Sequence, residues 1–138
     1  MNVLLDTCVI IDAMQNREPF ANDAMELLEC AAVNKINGYI TAKSVTDVYY
    51  IIHRHFHDNE KTREIVQKLI NLLIVLDTCA ADCKLALLSE VSDYEDAVMI
   101  ETAKREGMDC IVTRNVKDYS KASIKVMQPS ELLKEIDY

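Results

Sequence analysis

Glycine and proline are almost missing from this chain, with two of each among 138 residues. With half the residues apolar, that scarcity excludes a loop-dominated architecture and indicates a compact, helix-rich globule. No apolar run approaches the ~20 residues of a membrane-spanning helix. A basic-then-apolar leader is not expected, because Asp6 and Asp12 interrupt the amino-terminal apolar stretch. No C-x-x-C pair occurs. The five cysteines (Cys8, Cys30, Cys79, Cys83, Cys110) are odd in number and have no paired spacing, which argues against structural zinc and fits a reduced, cytoplasmic compartment. Bases are also in deficit, 15 against 23 acids, for a net charge of −8. That balance argues against a nonspecific nucleic-acid coat. It leaves a nuclease open, since part of the negative charge would belong to a metal site. With no linker, low-complexity tract or repeat, residues 1–138 read as one domain.

What the chain does have is alternation. Asn2–Leu5 reads as a buried strand and Asn22–Val33 as a helix, with Ala24, Leu27, Leu28 and Ala31 at helical spacing. Gly38 breaks the chain before a short strand, Tyr39–Thr41. Ser44 caps a helix to about Phe56, with Val45, Val48, Tyr49 and Ile52 inward. A helix over Glu60–Leu73, a strand over Leu73–Leu76 and a helix over Ala80–Leu88 follow. Ser92-Asp93-Tyr94-Glu95 matches an S-x-x-E capping box opening a helix that ends before Gly107. Cys110–Thr113 and Ile124–Met127 are strands, and Pro129 starts a last helix. This order predicts an α/β domain with a mostly parallel central sheet flanked by helices.

The acids fall where such a fold gathers residues, at strand carboxyl ends and helix amino ends on one edge of the sheet. Asp6 ends the first strand, and Thr7 beside it adds a hydroxyl suited to a metal-associated water; the alternative is a turn acid capping the next helix. Asp47 stands three after Ser44, a place the helix dipole also favours for an acid. Asp93 and Asp96 project from one face of a first helical turn. Asp118 closes the polar turn Thr113-Arg114-Asn115-Val116-Lys117-Asp118-Tyr119, where Asn115 is a neutral oxygen donor and Arg114 and Lys117 meet phosphates or solvent. Asp12 reads as solvated or capping, Asp77 as a turn residue, and His53, His55 and His57 as a solvated helix end.

Carboxylates brought together repel unless protons or cations lie between them. Oxygen-only ligands favour Mg²⁺ or Mn²⁺. Two such ions, roughly 3.5–4 Å apart, would stabilise the attacking and leaving oxygens of an in-line phosphodiester displacement. Arg17, Lys43, Arg54, Arg114 and Lys117 would aid an acidic protein in holding a polyanion.

Three segments together carry a family resemblance: Val3-Leu4-Leu5-Asp6-Thr7-Cys8-Val9-Ile10-Ile11-Asp12, Asp93-Tyr94-Glu95-Asp96-Ala97-Val98-Met99-Ile100 with Ala103, and Ile111 through Tyr119. In this order and spacing the chain resembles the PIN-domain ribonucleases, in particular the VapC-like toxins of toxin–antitoxin pairs. The resemblance implies a single PIN-like domain and a Mg²⁺- or Mn²⁺-dependent endoribonuclease. Asp6 would be the first acid, Asp96 the third and Asp93 or Asp118 the fourth, with Thr7, Thr113 and Asn115 around them. The family's second acid is usually Glu, and Asp47, one methylene shorter, matches it here. The resemblance also implies an RNA substrate, an antitoxin partner and a homodimer. Two other readings compete. A haloacid dehalogenase-type phosphatase also opens on an aspartate after a strand, but its motif wants a second Asp where Cys8 stands. The other is a catalytically silent PIN-like interaction module, which metal binding would distinguish.

Overall fold

A computed structural model of the chain describes residues 1–137. Within them, five parallel strands form one sheet: β1 (Asn2–Leu5), β2 (Asn37–Thr41), β3 (Ile74–Leu76), β4 (Cys110–Val112) and β5 (Val126–Met127), in the order β3-β2-β1-β4-β5. Helices occupy the crossovers: α1 (Thr7–Met14), α2 (Ala21–Ala32), α3 (Ala42–Phe56), α4 (Asn59–Leu72), α5 (Ala80–Ala86) and α6 (Tyr94–Arg105). A short 3-10 turn, Val116–Tyr119, leads to β5, and α7 (Pro129–Ile136) follows it. The expected α/β class is the observed one, with every pairing parallel.

Both faces of the sheet are covered, so its central strands carry continuous apolar runs rather than alternating ones. Val3, Leu4 and Leu5 are each wholly buried. Val3 and Leu5, with Cys110 and Val112, pack on one face with residues of α1, α2, α3, α4 and α7. Leu4 and Ile111 point to the other, against α5 and α6. Among the described residues no helix is long and apolar enough to cross a membrane.

The structure differs from the sequence reading at several points. Thr7–Met14 is a helix, α1, although its apolar run shows no helical period. Its inner turn is buried on successive residues, Val9 through Asp12, so no polar face breaks the run. Asp12 is therefore neither solvated nor capping; it is 1% exposed. Gly38 does not break the chain but lies inside β2. A Cβ there would stand 2.7 Å from Leu73 Cδ2 and 3.1 Å from the Ala31 Cβ, so the missing side chain lets helices close on the strand. Ser44 is not the cap of α3. Thr41 is, its hydroxyl accepting from the Ser44 N–H at 3.1 Å. Likewise Asp93, not Ser92, caps α6, accepting from the Asp96 N–H at 3.0 Å.

The sheet sets the site's location. The chain leaves β1 for β2 on one side and reaches β4 on the other. The crevice outside the carboxyl ends of β1 and β4 is thus the topological switch point, where open parallel sheets bind ligands.

Candidate active site

Asp6 follows β1 directly. Its N–H donates to Val112 O at 2.9 Å, which extends the β1–β4 ladder and pins the residue at the sheet edge. Its carbonyl accepts from Val9 N, so the backbone caps α1 while the side chain takes no part in capping. The carboxylate is engaged elsewhere. Oδ2 accepts from Thr113 Oγ1 at 2.8 Å and lies 3.4 Å from the Tyr119 hydroxyl and 3.5 Å from Cys8 Sγ. The Cys8 thiol is pushed up by burial and by the Asp6 charge, so it remains a neutral donor.

Asp96 sits in the first turn of α6, its amide anchored by Asp93. Its Oδ1 accepts from the Tyr119 hydroxyl at 3.0 Å. One phenol oxygen thus reaches both aspartates, and the two carboxylates are no farther apart than those two contacts laid end to end. Burial, first, pushes the Asp96 carboxyl up to about 6; the Tyr119 hydrogen bond opposes it, and Asp93, Asp6 and Asp118 add repulsion. Among the described residues no base forms an ion pair with Asp96, and a carboxylate so placed calls for a proton or a cation. Tyr119, 3% exposed, is held firmly neutral by burial and by the two carboxylates.

A cavity of about 300 Å³ opens over these acids, lined among others by Asp6, Thr7, Asp47, Glu95, Asp96 and Arg54. Across it, Lys43 of α3 reaches Asp47 at 2.8 Å and Glu95 of α6 at 2.9 Å. Burial alone would lower the Lys43 pKa, but the hydrogen bonds to Asp47 and Glu95 outweigh it and keep the ammonium charged. Asp47 therefore shares the cavity with Asp6 and Asp96 but is tied to a lysine.

The remaining expected residues do not line this cavity. Thr113 is fully buried and serves Asp6 through its hydroxyl. Asn115, Lys117 and Asp118 line a separate depression of about 270 Å³ with Arg114 and Gln128. Asp93, the α6 cap, and Asp118 influence Asp96 through charge. Arg114 is partly committed: Nε stands 3.1 Å from Asp12 Oδ2, and the guanidinium lies 4.8 Å from the centre of the Phe20 ring. The Asp12 contact is close but off-line, since Asp12 Oδ1 and Arg114 Nε both lack a well-formed hydrogen bond. Burial raises the Asp12 pKa against the pull of Arg114 and Arg17.

Among the described residues no three His, Cys, Asp or Glu side chains converge tightly enough to cage a metal ion. The donor set fits a more open arrangement. Mg²⁺ keeps most of its waters and is commonly held by one or two carboxylates together with substrate phosphate. Asp6 and Asp96, joined through the Tyr119 hydroxyl and, among the described residues, without a salt-bridge partner, suit one such ion.

Sequence reasoning missed two participants. Glu95 reads as the polar filler of a capping box, and its reach to Lys43 depends on where α3 packs. Tyr119 ends a polar turn, where one aromatic is an ordinary core anchor; only the fold shows its hydroxyl between two acids.

No curated protein matches the sequence. Solved structures do match the fold. The chain is similar to the DNA-bound VapBC complex of Salmonella typhimurium (TM-score 0.70, 18% identity, 94% of this chain and 98% of that one). It is similar to VapBC2 of Rickettsia felis bound to a promoter DNA fragment (TM-score 0.69, 17% identity, 93% and 98%). It is also similar to the sarcin–ricin loop cleaving toxin VapC20 of Mycobacterium tuberculosis (TM-score 0.65, 11% identity, 89% and 98%). The family model described as PIN domain matches residues 2–117, most of the sequence and all the acids near the cavity except Asp118. The chain belongs to the PIN domain family.

Proposed function

We propose that this chain is a Mg²⁺- or Mn²⁺-dependent endoribonuclease, one nuclease domain over residues 1–138, and the toxin of a toxin–antitoxin pair. The observation that carries the reading is the meeting of Asp6 and Asp96 at one hydroxyl on the carboxyl edge of a PIN sheet. A divalent ion held there would neutralise charge on the scissile phosphate and acidify water beside it.

The chain's own residues do the rest. Asp6 and Asp96 supply the ligand oxygens. Thr113 holds the Asp6 carboxylate in one rotamer through its 2.8 Å hydrogen bond, and Thr7 offers its hydroxyl at the same edge. Asp47 contributes catalytically through a water, since its carboxylate lies in the cavity and is held by Lys43. Asp93 and Asp118 act through charge, with Asp118 and Asn115 in the separate depression. Arg54 in the cavity and Lys117 and Arg114 in the separate depression meet the RNA backbone and offset the net charge of −8 locally.

The similar VapBC structures are bound to DNA and another similar structure is a toxin–antitoxin complex from Klebsiella pneumoniae, and that likeness supports an antitoxin as partner here. The same reading takes the toxin to be a homodimer in the cytoplasm. The decisive experiment incubates structured RNAs with the protein, with and without Mg²⁺ or Mn²⁺. Cleavage is expected only with the ion, and Asp6→Asn or Asp96→Asn is expected to slow it by about 100-fold or more. Ion-independent cleavage, or full activity in either variant, overturns the reading. One observation favours a silent interaction module instead: Lys43 already occupies the Asp47–Glu95 pair, where a metal-binding acid is expected. That module would titrate with Mn²⁺ no differently from Asp96→Asn.

A further inference from the structure

We propose that Tyr119 is a positioning residue of the metal site, its buried hydroxyl joining the Asp6 and Asp96 carboxylates that would hold a divalent cation. The inference rests on reading those two aspartates as ligands. Three observations support it.

The first is the division of labour between carboxylate oxygens. On Asp6, the contacts from Thr113, Tyr119 and Cys8 all fall on Oδ2. On Asp96, the Tyr119 bond falls on Oδ1. Among the described residues, no side chain donates to Asp6 Oδ1 or Asp96 Oδ2, so each aspartate keeps one oxygen bound inward and one for a cation. A ligand carboxylate oriented in this way by a neighbouring donor loses less freedom on binding an ion.

The second is the economy of protons. A phenol carries one proton, and two acceptors lie within 3.0 and 3.4 Å of its oxygen. It can satisfy only one fully at a time, so it holds the pair together without neutralising it. The leftover negative charge is what a divalent ion would answer.

The third is rigidity. Tyr119 is 3% exposed and packs with Leu4, Met99, Ile100 and Ile111 on the α6 face of the sheet. Its oxygen also lies 3.7 Å from Met99 Sδ. The ring cannot swing aside, so the hydroxyl stays fixed relative to both β1 and α6. The segment after β4 thereby reports on both acids through one atom.

Tyr119→Phe removes the hydroxyl and keeps the ring. Mn²⁺ binding is measured calorimetrically for wild type, Tyr119→Phe and Asp96→Asn, with the metal-free melting temperature of each. Asp96→Asn is expected to lose Mn²⁺ binding, and Tyr119→Phe to bind about 10-fold more weakly, in the range found when a partner of a metal ligand is removed. Wild-type or tighter affinity in Tyr119→Phe, with binding lost in Asp96→Asn, overturns this inference and leaves the ligand reading standing. Wild-type affinity in Asp96→Asn overturns both.

Should Tyr119→Phe fail to fold, 3-fluorotyrosine placed at position 119 gives a second measurement by fluorine NMR. Its resonance is expected to move when Mg²⁺ is added and to stay still in the Asp96→Asn background. A resonance indifferent to Mg²⁺ in the otherwise native protein contradicts the proposal.

Discussion

Asp96 carries a charge its surroundings do not welcome. Burial and the neighbouring Asp93, Asp6 and Asp118 lift its carboxyl to about 6, against the partial relief of the Tyr119 hydrogen bond. In the unfolded chain the same group titrates near its ordinary value of about 4. Between those two values the metal-free native state binds the proton more tightly than the unfolded state does. The favourable contribution of Asp96 is therefore fully present below about pH 4 and is lost as the pH rises through about 6. In EDTA, the melting temperature of wild type should fall relative to that of Asp96→Asn over this interval; a constant difference between them would contradict the assignment. A cation must displace the same proton, so Mn²⁺ affinity should drop about tenfold per pH unit below 6. Single residues were also where sequence reading was weakest. Asp12 looked solvated because its partner, Arg114, lies in a loop near the far end of the chain, and no local pattern reports on that pairing. Tyr119 could not be told from a core aromatic for the same reason.

Elements place these residues, and α6 matters most because it carries Asp96. Its far end is fastened to α5. Asp82, 1% exposed, accepts from Arg105 Nε at 2.9 Å and from Thr102 Oγ1 at 2.9 Å, while Arg105 also donates to Asp77 O at 2.7 Å. The Arg105 guanidinium holds the Asp82 carboxyl well below the usual carboxylate range against its burial. Removing the arginine would leave a buried charge without its partner. Arg105→Ala should lower the urea unfolding midpoint, since it strands the buried Asp82 carboxylate without its partly exposed partner. An unchanged midpoint would mean that the network contributes little. Most elements were legible because amphipathic helices and short apolar strands leave periodic traces. Asn22–Val33 and Ala21–Ala32 differ only at their ends, as do Leu73–Leu76 and Ile74–Leu76. Helix α1 was not legible, because burial of successive residues erases the period that would reveal it. Gly38 misled because a small residue needed for close packing inside a strand looks, in sequence, like a chain breaker.

For the whole molecule, the topology does what no single motif can. Parallel order β3-β2-β1-β4-β5 places β1 at the switch point and sends β4 to its other side. Residues from opposite ends of the sequence, Asp6 and the Thr113–Tyr119 segment, then meet over one edge, with α6 closing the third side. The α/β class and this edge were readable from alternation alone. Asp6 and Asp96 were the pair singled out from the sequence; whether Asp47 would join them was not readable, because the ion pair that ties it to Lys43 and brings in Glu95 depends on how α3 and α6 pack. The proposed metal site accordingly stands on the Asp6 and Asp96 carboxylates. Its most direct test is a crystal structure of the protein soaked in Mn²⁺, read by anomalous scattering. A single strong peak with oxygens of both Asp6 and Asp96 at coordination distance is the predicted result; no peak there, or one bound elsewhere and touching neither aspartate, would contradict it.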